Sequence, residues 1–300
     1  MTRVSLSNKL THTVVVCMGT AATTRCRPSA GIPIIVGTCT DYISSGEVCI
    51  PAAVFHYAWL RHTSWIITLQ NTTDMERLLT RIRTLHLAPW LAVFYAVGVA
   101  GMIIPATRDL FQRLVPFTLL MNVGLLLIYH GRFRASFWWL AALIYVLGFV
   151  LEMVGVNTGL IFGDYAYGET LGPKLGHTPL IIGVNWLMLV YASLVIVGRY
   201  VEDRFFRVTV AAALMVVYDF ALEPSAIYFD MWSWAGGPVP LQNYVAWFVI
   251  AFILIFLADR FRMVNRENKI APALFFIQLV FFILLDIWIF SEKVWELSLR

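Results

Sequence analysis

Three acidic side chains sit inside apolar stretches of this chain, and their spacing suits proton transfer. Glu152 lies late in an apolar run over residues 136–156, and Asp219 and Glu223 lie late in another over 206–224. A charge at a bilayer centre costs at least ~2.5–3.5 kcal/mol on insertion scales, so such a group usually has a task or a partner. At i and i+4, Asp219 and Glu223 project from one helical face. Burial and like-charge proximity both favour the neutral acid, so at least one of the pair is expected to hold its proton at neutral pH and donate it. Asn185 and Trp186 open a further run at the same depth, and Asn157 adds a polar group beyond Glu152. Any one carboxylate alone would read as a hydrogen bond to a neighbouring helix, but three at one depth argue for chemistry. Asp286 stands alone and reads as interfacial or structural, and His130, close to Arg132, reads as a boundary residue.

The elements that must position these groups are membrane helices. The chain is 60% hydrophobic and 13% charged with a mean hydropathy of +0.76, too few charges to cover a soluble domain of 300 residues. Apolar spans fall near 87–107, 113–130, 136–156, 178–198, 206–224, 243–259 and 270–290, each long enough for a hydrocarbon core of about 30 Å. The expected fold is therefore all-α, a polytopic bundle of about seven transmembrane helices. Pro105, Pro116 and Pro224 fall near predicted span ends, where a missing donor costs little.

Lys and Arg set the orientation, because short cytoplasmic loops carry the positive excess. With the N-terminus inside, inner segments hold Arg77, Arg81, Arg83, Arg132, Arg134, Arg199, Arg204, Arg207, Arg260, Arg262, Arg266 and Lys269, against Arg108, Arg113, Lys174, Lys293 and Arg300 outside. Twelve against five predicts N-inside and C-outside. The two longest loops, near 157–177 and 225–242, then share the outer face with the acids. They carry glycines and aromatics, Tyr165 and Tyr167 in one and Trp232 and Trp234 in the other, and such loops can fold back to roof a cavity. An interfacial aromatic belt is the plainer account of these side chains.

Residues 1–74 differ from the rest. They are rich in Thr, Ser and Cys and lack an 18-residue apolar span, so they are expected to be a disordered extension or to precede a true start at Met75. Residues 75–300 are the expected membrane domain. All four cysteines, Cys17, Cys26, Cys39 and Cys49, fall in the first segment without CxxC spacing, so thiolate chemistry is not expected in the second. P-loop, GxGxxG, HExxH and GxSxG motifs are lacking, as are any nucleic-acid signature and, apart from Asp219 and Glu223 themselves, spaced acidic clusters for a metal diphosphate. Seven spans suggest a rhodopsin, but 271–290 contains no lysine for a retinal Schiff base. No metal or cofactor is expected.

Two ordered blocks carry a family resemblance over roughly residues 90–262. The first runs Glu152, Gly155, Thr158-Gly159, Phe162-Gly163, Tyr165, Tyr167-Gly168, Leu171-Gly172-Pro173, Pro179, Ile182-Gly183 and Asn185-Trp186. The second runs Asp219, Glu223-Pro224, Ala226, Trp232, Trp234, Gly236-Gly237, Pro240, Asn243 and Trp247. Together they resemble the carotenoid biosynthesis membrane proteins that include bisanhydrobacterioruberin hydratase and bacterial carotenoid 1,2-hydratases. The family commonly shows Asp-Pro where this chain has Glu223-Pro224, which keeps the acid and lengthens its reach by one methylene. The loop before Pro240 is also shorter, which bears on substrate fit.

The resemblance implies cofactor-independent addition of water across the terminal 1,2 double bond of a carotenoid ψ end, giving a tertiary 1-hydroxy group. It implies a multi-pass protein of a prokaryotic cell membrane whose substrate is a C40 or C50 polyene dissolved in the lipid, with other carotenoid enzymes as neighbours. Protonating C2 of the trisubstituted alkene leaves a tertiary cation at C1, so such a site needs a desolvated acid, stabilisation of positive charge and an ordered water. Glu223 or Asp219 is the expected acid, with Glu152 as the other acid/base partner. Tyr165, Tyr167, Trp186, Trp232 and Trp234 are the expected aromatic walls for the cation, and Asn185 or Asn243 is expected to position water. Two rivals remain open: a membrane lycopene cyclase, which closes a ring onto the same cation, and a non-enzymatic carotenoid-binding or transport protein. Internal repeats typical of transporters are not visible.

Overall fold

The computed structural model describes residues 77, 79, 80, 82 and 85–298. The cysteine-bearing segment, the Met75 start, Arg81, Arg83 and Arg300 lie outside the described residues, and the architecture below is that of the unit Arg81–Arg300. Seven helices follow one another from Ala88 on: α1 (Ala88–Ile103), α2 (Pro105–His130), α3 (Ala135–Thr158), α4 (Ile181–Val197), α5 (Arg204–Tyr228), α6 (Leu241–Arg260) and α7 (Ile270–Ser298). Four short strands, β1 (Tyr165–Tyr167), β2 (Lys174–Leu175), β3 (Thr178–Pro179) and β4 (Trp232–Trp234), lie in the α3–α4 and α5–α6 connections.

Five helices, α2, α3, α5, α6 and the Ile270–Glu292 part of α7, are long and apolar enough to cross a membrane, consistent with an all-α membrane bundle. The other two are apolar but short, 16 residues in α1 and 17 in α4. At 1.5 Å per residue they reach roughly 24 and 26 Å, less than a core of about 30 Å. Helix α4 is apolar all round and packs against α2, α3, α5, α6 and α7, so it forms the centre of the bundle.

Local chemistry fixes the ends. The first two predicted spans are divided at Ile104, not within 108–112, because Thr107 and Arg108 serve the end of α1. Thr107 Oγ1 donates to Gly101 O at 2.9 Å, and Arg108 donates through Nε to Met102 O at 3.0 Å and through Nη2 to Ile103 O at 3.2 Å. These bonds satisfy carbonyls that a helix C-terminus otherwise leaves open, and an apolar window cannot register them. Pro105 then starts α2. Pro116 and Pro224, expected near span ends, lie inside α2 and α5. Packed neighbours allow that in a bundle. Helix α3 ends at Gly159, whose φ of 66° permits the left-handed cap and whose N–H returns to Gly155 O at 2.8 Å.

Close packing of α3 on α4 depends on Gly148. A Cβ there would lie 2.7 Å from Cβ and Cγ of Trp186, in the helix backbone's immediate shadow rather than against a flexible tip. Gly148→Ala is expected to destabilise the bundle by roughly 1–3 kcal/mol through overpacking, seen as a lowered thermal unfolding midpoint in detergent.

Candidate active site

The acids occupy one end of the bundle: Glu152 is late in α3, Asp219 and Glu223 are late in α5, and Asn185, Trp186, Asn243 and Trp247 are early in α4 and α6. Over this end lies an antiparallel two-stranded ribbon in which Tyr165 pairs with Trp234, Ala166 with Ser233 and Tyr167 with Trp232. Strand alternation puts the four aromatics on one face and exposes Ala166 and Ser233 on the other. The aromatic face is turned to the carboxylates, as its hydrogen bonds establish, so these side chains form a roof and not an interfacial belt.

Glu152, 4% exposed, is filled with donors. Its Oε2 accepts from the hydroxyls of Tyr165 at 2.7 Å and Tyr167 at 2.8 Å, and its Oε1 accepts from Trp186 Nε1 at 3.0 Å. Burial, joined by the Glu152 charge, pushes both ribbon phenols well above the usual range, so they remain protonated donors. Trp186 in turn stacks on Trp247 at 4.3 Å between ring centroids. Glu223 Oε2 accepts from Trp232 Nε1 at 2.9 Å and Trp234 Nε1 at 3.0 Å, while its Oε1 has a single longer donor, Asn243 Nδ2 at 3.4 Å. The same Asn243 amide donates to Asp219 Oδ2 at 2.8 Å. Asp219, 1% exposed, leaves Oδ1 buried and without a partner among the described residues.

All ten residues given a role in the expected chemistry either bond to these carboxylates or border one cavity. Its volume is about 30 Å³, and its walls include Glu152, Asp219, Glu223, Asn185, Asn243 and the ribbon aromatics. A cavity of that size holds about one water. Trp186 contributes its indole N–H to Glu152 rather than a face of the cavity wall. Trp247, Phe162 and Ile182 border the cavity as well. They stand in the blocks that carry the resemblance but were given no site role, although Trp247, four residues after Asn243, has the spacing of a residue on the same helical face. No group of three or more His, Cys, Asp or Glu side chains suited to a metal ion occurs among the described residues.

One other sequence expectation changes. Asn157 is no part of the cavity: its Nδ2 donates to Met153 O at 2.7 Å and Gly176 O at 2.8 Å, tying the β2–β3 hairpin to α3. Asp286, read as interfacial or structural, accepts from Ser225 Oγ at 2.5 Å, a contact between α7 and α5. His130, expected at a boundary, is the last residue of α2; it is also buried, with Nδ1 2.7 Å from the Tyr191 hydroxyl and its ring stacked on Phe133.

A sequence profile described as carotenoid biosynthesis protein matches residues 114–297, more than half of the chain and all of the site. The chain is also similar to bisanhydrobacterioruberin hydratase of Haloarcula japonica, at 30% identity over 134 residues, which is 42% of this chain and 45% of that protein. The match thus spans a little under half the relative's length. No solved structure matches the chain.

Proposed function

We propose, since the chain belongs to the carotenoid biosynthesis protein family, that its buried acids add water to the terminal 1,2 double bond of a carotenoid ψ end. The observation that carries this reading is the unequal filling of three carboxyl groups around one water-sized cavity.

Lone-pair occupancy assigns the roles. Glu152 accepts three donors across both oxygens, the pattern of a fixed carboxylate with little basicity left. It serves as the permanent counter-charge for a cation. Asp219 has one oxygen accepting from Asn243 and one without a donor, as expected of a neutral acid whose hydroxyl faces its substrate. Glu223 keeps capacity on Oε1, where only the long Asn243 contact falls, and serves as base.

The reaction then balances without redox chemistry. Asp219 delivers its proton to C2, the π electrons form the new C–H bond, and C1 becomes a tertiary cation. Glu152 and the aromatic faces of the ribbon stabilise that charge. Water held beside Asn185 adds its oxygen to C1 and passes a proton to Glu223. Return of a proton to Asp219 closes the cycle, so the sum is alkene plus water to tertiary alcohol. A ψ end is larger than the cavity, so its admission requires the roof ribbon or the flanking helix side chains to move.

The membrane arrangement belongs to the same proposal: seven crossings, N-inside and C-outside, with a lipid-dissolved C40 or C50 polyene reaching the site from the bilayer. The test is expression of the full chain in a host that makes lycopene, with pigments analysed by mass spectrometry. A new product heavier by one water per hydrated end is expected. A product of unchanged mass would mean cyclisation, and unchanged pigment would overturn the catalytic reading in favour of binding or transport.

A further inference from the structure

The opposite end of the bundle holds a second, larger cavity of about 880 Å³, within the range of roughly 300–1,000 Å³ common for small-molecule sites. Six arginines border it, Arg132, Arg134, Arg204, Arg207, Arg262 and Arg266, against two carboxylates, Glu202 and Asp259, a formal balance of 6 − 2 = +4. The two sets of arginines behave differently. Arg204, Arg207 and Arg266 already share Asp259: Arg207 grips both its oxygens at 2.9 and 2.8 Å, Arg204 lies at 3.1 Å and Arg266 at 3.5 Å. Arg207 is itself 4% exposed and spends Nη1 on the carbonyls of Val201 and Glu202. That cluster is a rigid floor.

Arg132, Arg134 and Arg262 have no carboxylate partner among the described residues, yet two separate turns bring them to the same cavity. Asn265 Nδ2 ties those turns together by donating to His130 O at 2.7 Å. Arg262 holds a left-handed φ of 51°, which a non-glycine residue adopts only at a cost. Arg134 is the N-cap of α3, whose first turn has no side-chain cap bond and no acid, so the open N–H groups add a positive pole. A bias of positive charge toward one membrane face requires only a number of basic residues. It does not require three of them, unpartnered, around one cavity with a fixed floor.

We propose that this cavity binds a phosphate-bearing anion, presented by the headgroup of a net-anionic phospholipid. Guanidinium forks match phosphate oxygens in pairs, and basic pockets between helices at a membrane surface suit such headgroups. The site is independent of the hydration chemistry at the other end.

The full chain, purified in detergent, is offered equal amounts of phosphatidylglycerol and phosphatidylcholine, and retained lipid is read by native mass spectrometry. Retention of phosphatidylglycerol at least about tenfold over phosphatidylcholine is expected, the preference collapsing in R132Q/R134Q/R262Q. R132K/R134K/R262K preserves charge, and with it insertion, but lacks the fork, so a weakened preference is expected. Arg113→Gln, on α2 away from this end, leaves it intact. In lipid-free detergent, a thermal shift produced by inorganic phosphate but not by chloride of equal ionic strength, and lost in the triple Gln variant, supports the site with free phosphate as its source. Equal retention of both lipids with no phosphate-specific shift, or a preference unchanged in the triple Gln variant, overturns the proposal.

Discussion

Asp219→Asn is expected to lower product formation by a factor between about 10² and 10⁴, the range that a positioned general acid contributes. The substitution is nearly isosteric, and the amide oxygen can still accept from Asn243 Nδ2, now 2.8 Å from Asp219 Oδ2. What disappears is the transferable proton at the oxygen that has no partner among the described residues. Membrane insertion and the unfolding midpoint should change little, because no donor loses its acceptor. Pigment turnover per unit of inserted protein is the measurement. If Asp219→Asn retains activity while Glu223→Gln abolishes it, the acid role belongs to Glu223.

Glu152→Gln is expected to act through charge rather than through proton delivery. A carboxylate about 4 Å from a developing cation supplies roughly 4 kcal/mol at an effective dielectric constant near 20, so its loss should cost about 10²–10³ in rate. Here stability also falls, by about 1.5–3 kcal/mol, since Tyr165, Tyr167 and Trp186 all donate to this one group and an amide cannot accept from all three equally well. Tyr165→Phe separates the two effects: it removes one donor but keeps the anion, so a loss of only about tenfold is expected. An equal loss in both variants, with equal destabilisation, would make Glu152 a structural anchor for the ribbon.

The acid-bearing end of the molecule was largely legible because its signals are local. A carboxyl inside an apolar run is conspicuous whatever its partner, and the i, i+4 spacing of Asp219 and Glu223 places them on one face before any packing is known. The roof was legible only as two aromatic loops. Their pairing was available in principle, since Tyr165-Ala166-Tyr167 and Trp232-Ser233-Trp234 both alternate large and small with the period of a strand. Three-residue strands are too short for periodicity to announce them, and the pairing joins positions more than sixty residues apart. The break at Ile104 was hidden because the polar residues that cap α1 lie in the first turn of α2. Asn157 was placed with the acids, and the partners of His130 and Asp286 were hidden, because each is defined by one distant hydrogen-bonding neighbour, which sequence spacing does not report. The arginine cavity was visible as charge bias alone; convergence of two turns on it is a property of the fold.

Water is the source of the new oxygen in the proposed reaction. Membranes containing the full chain, supplied with a ψ-ended carotenoid in heavy-oxygen water under anaerobic conditions, should yield an alcohol whose hydroxyl carries the heavy isotope, with the yield lowered at least about a hundredfold in Asp219→Asn. A hydroxyl bearing the light isotope, dependence on molecular oxygen, or a product of unchanged mass would contradict it.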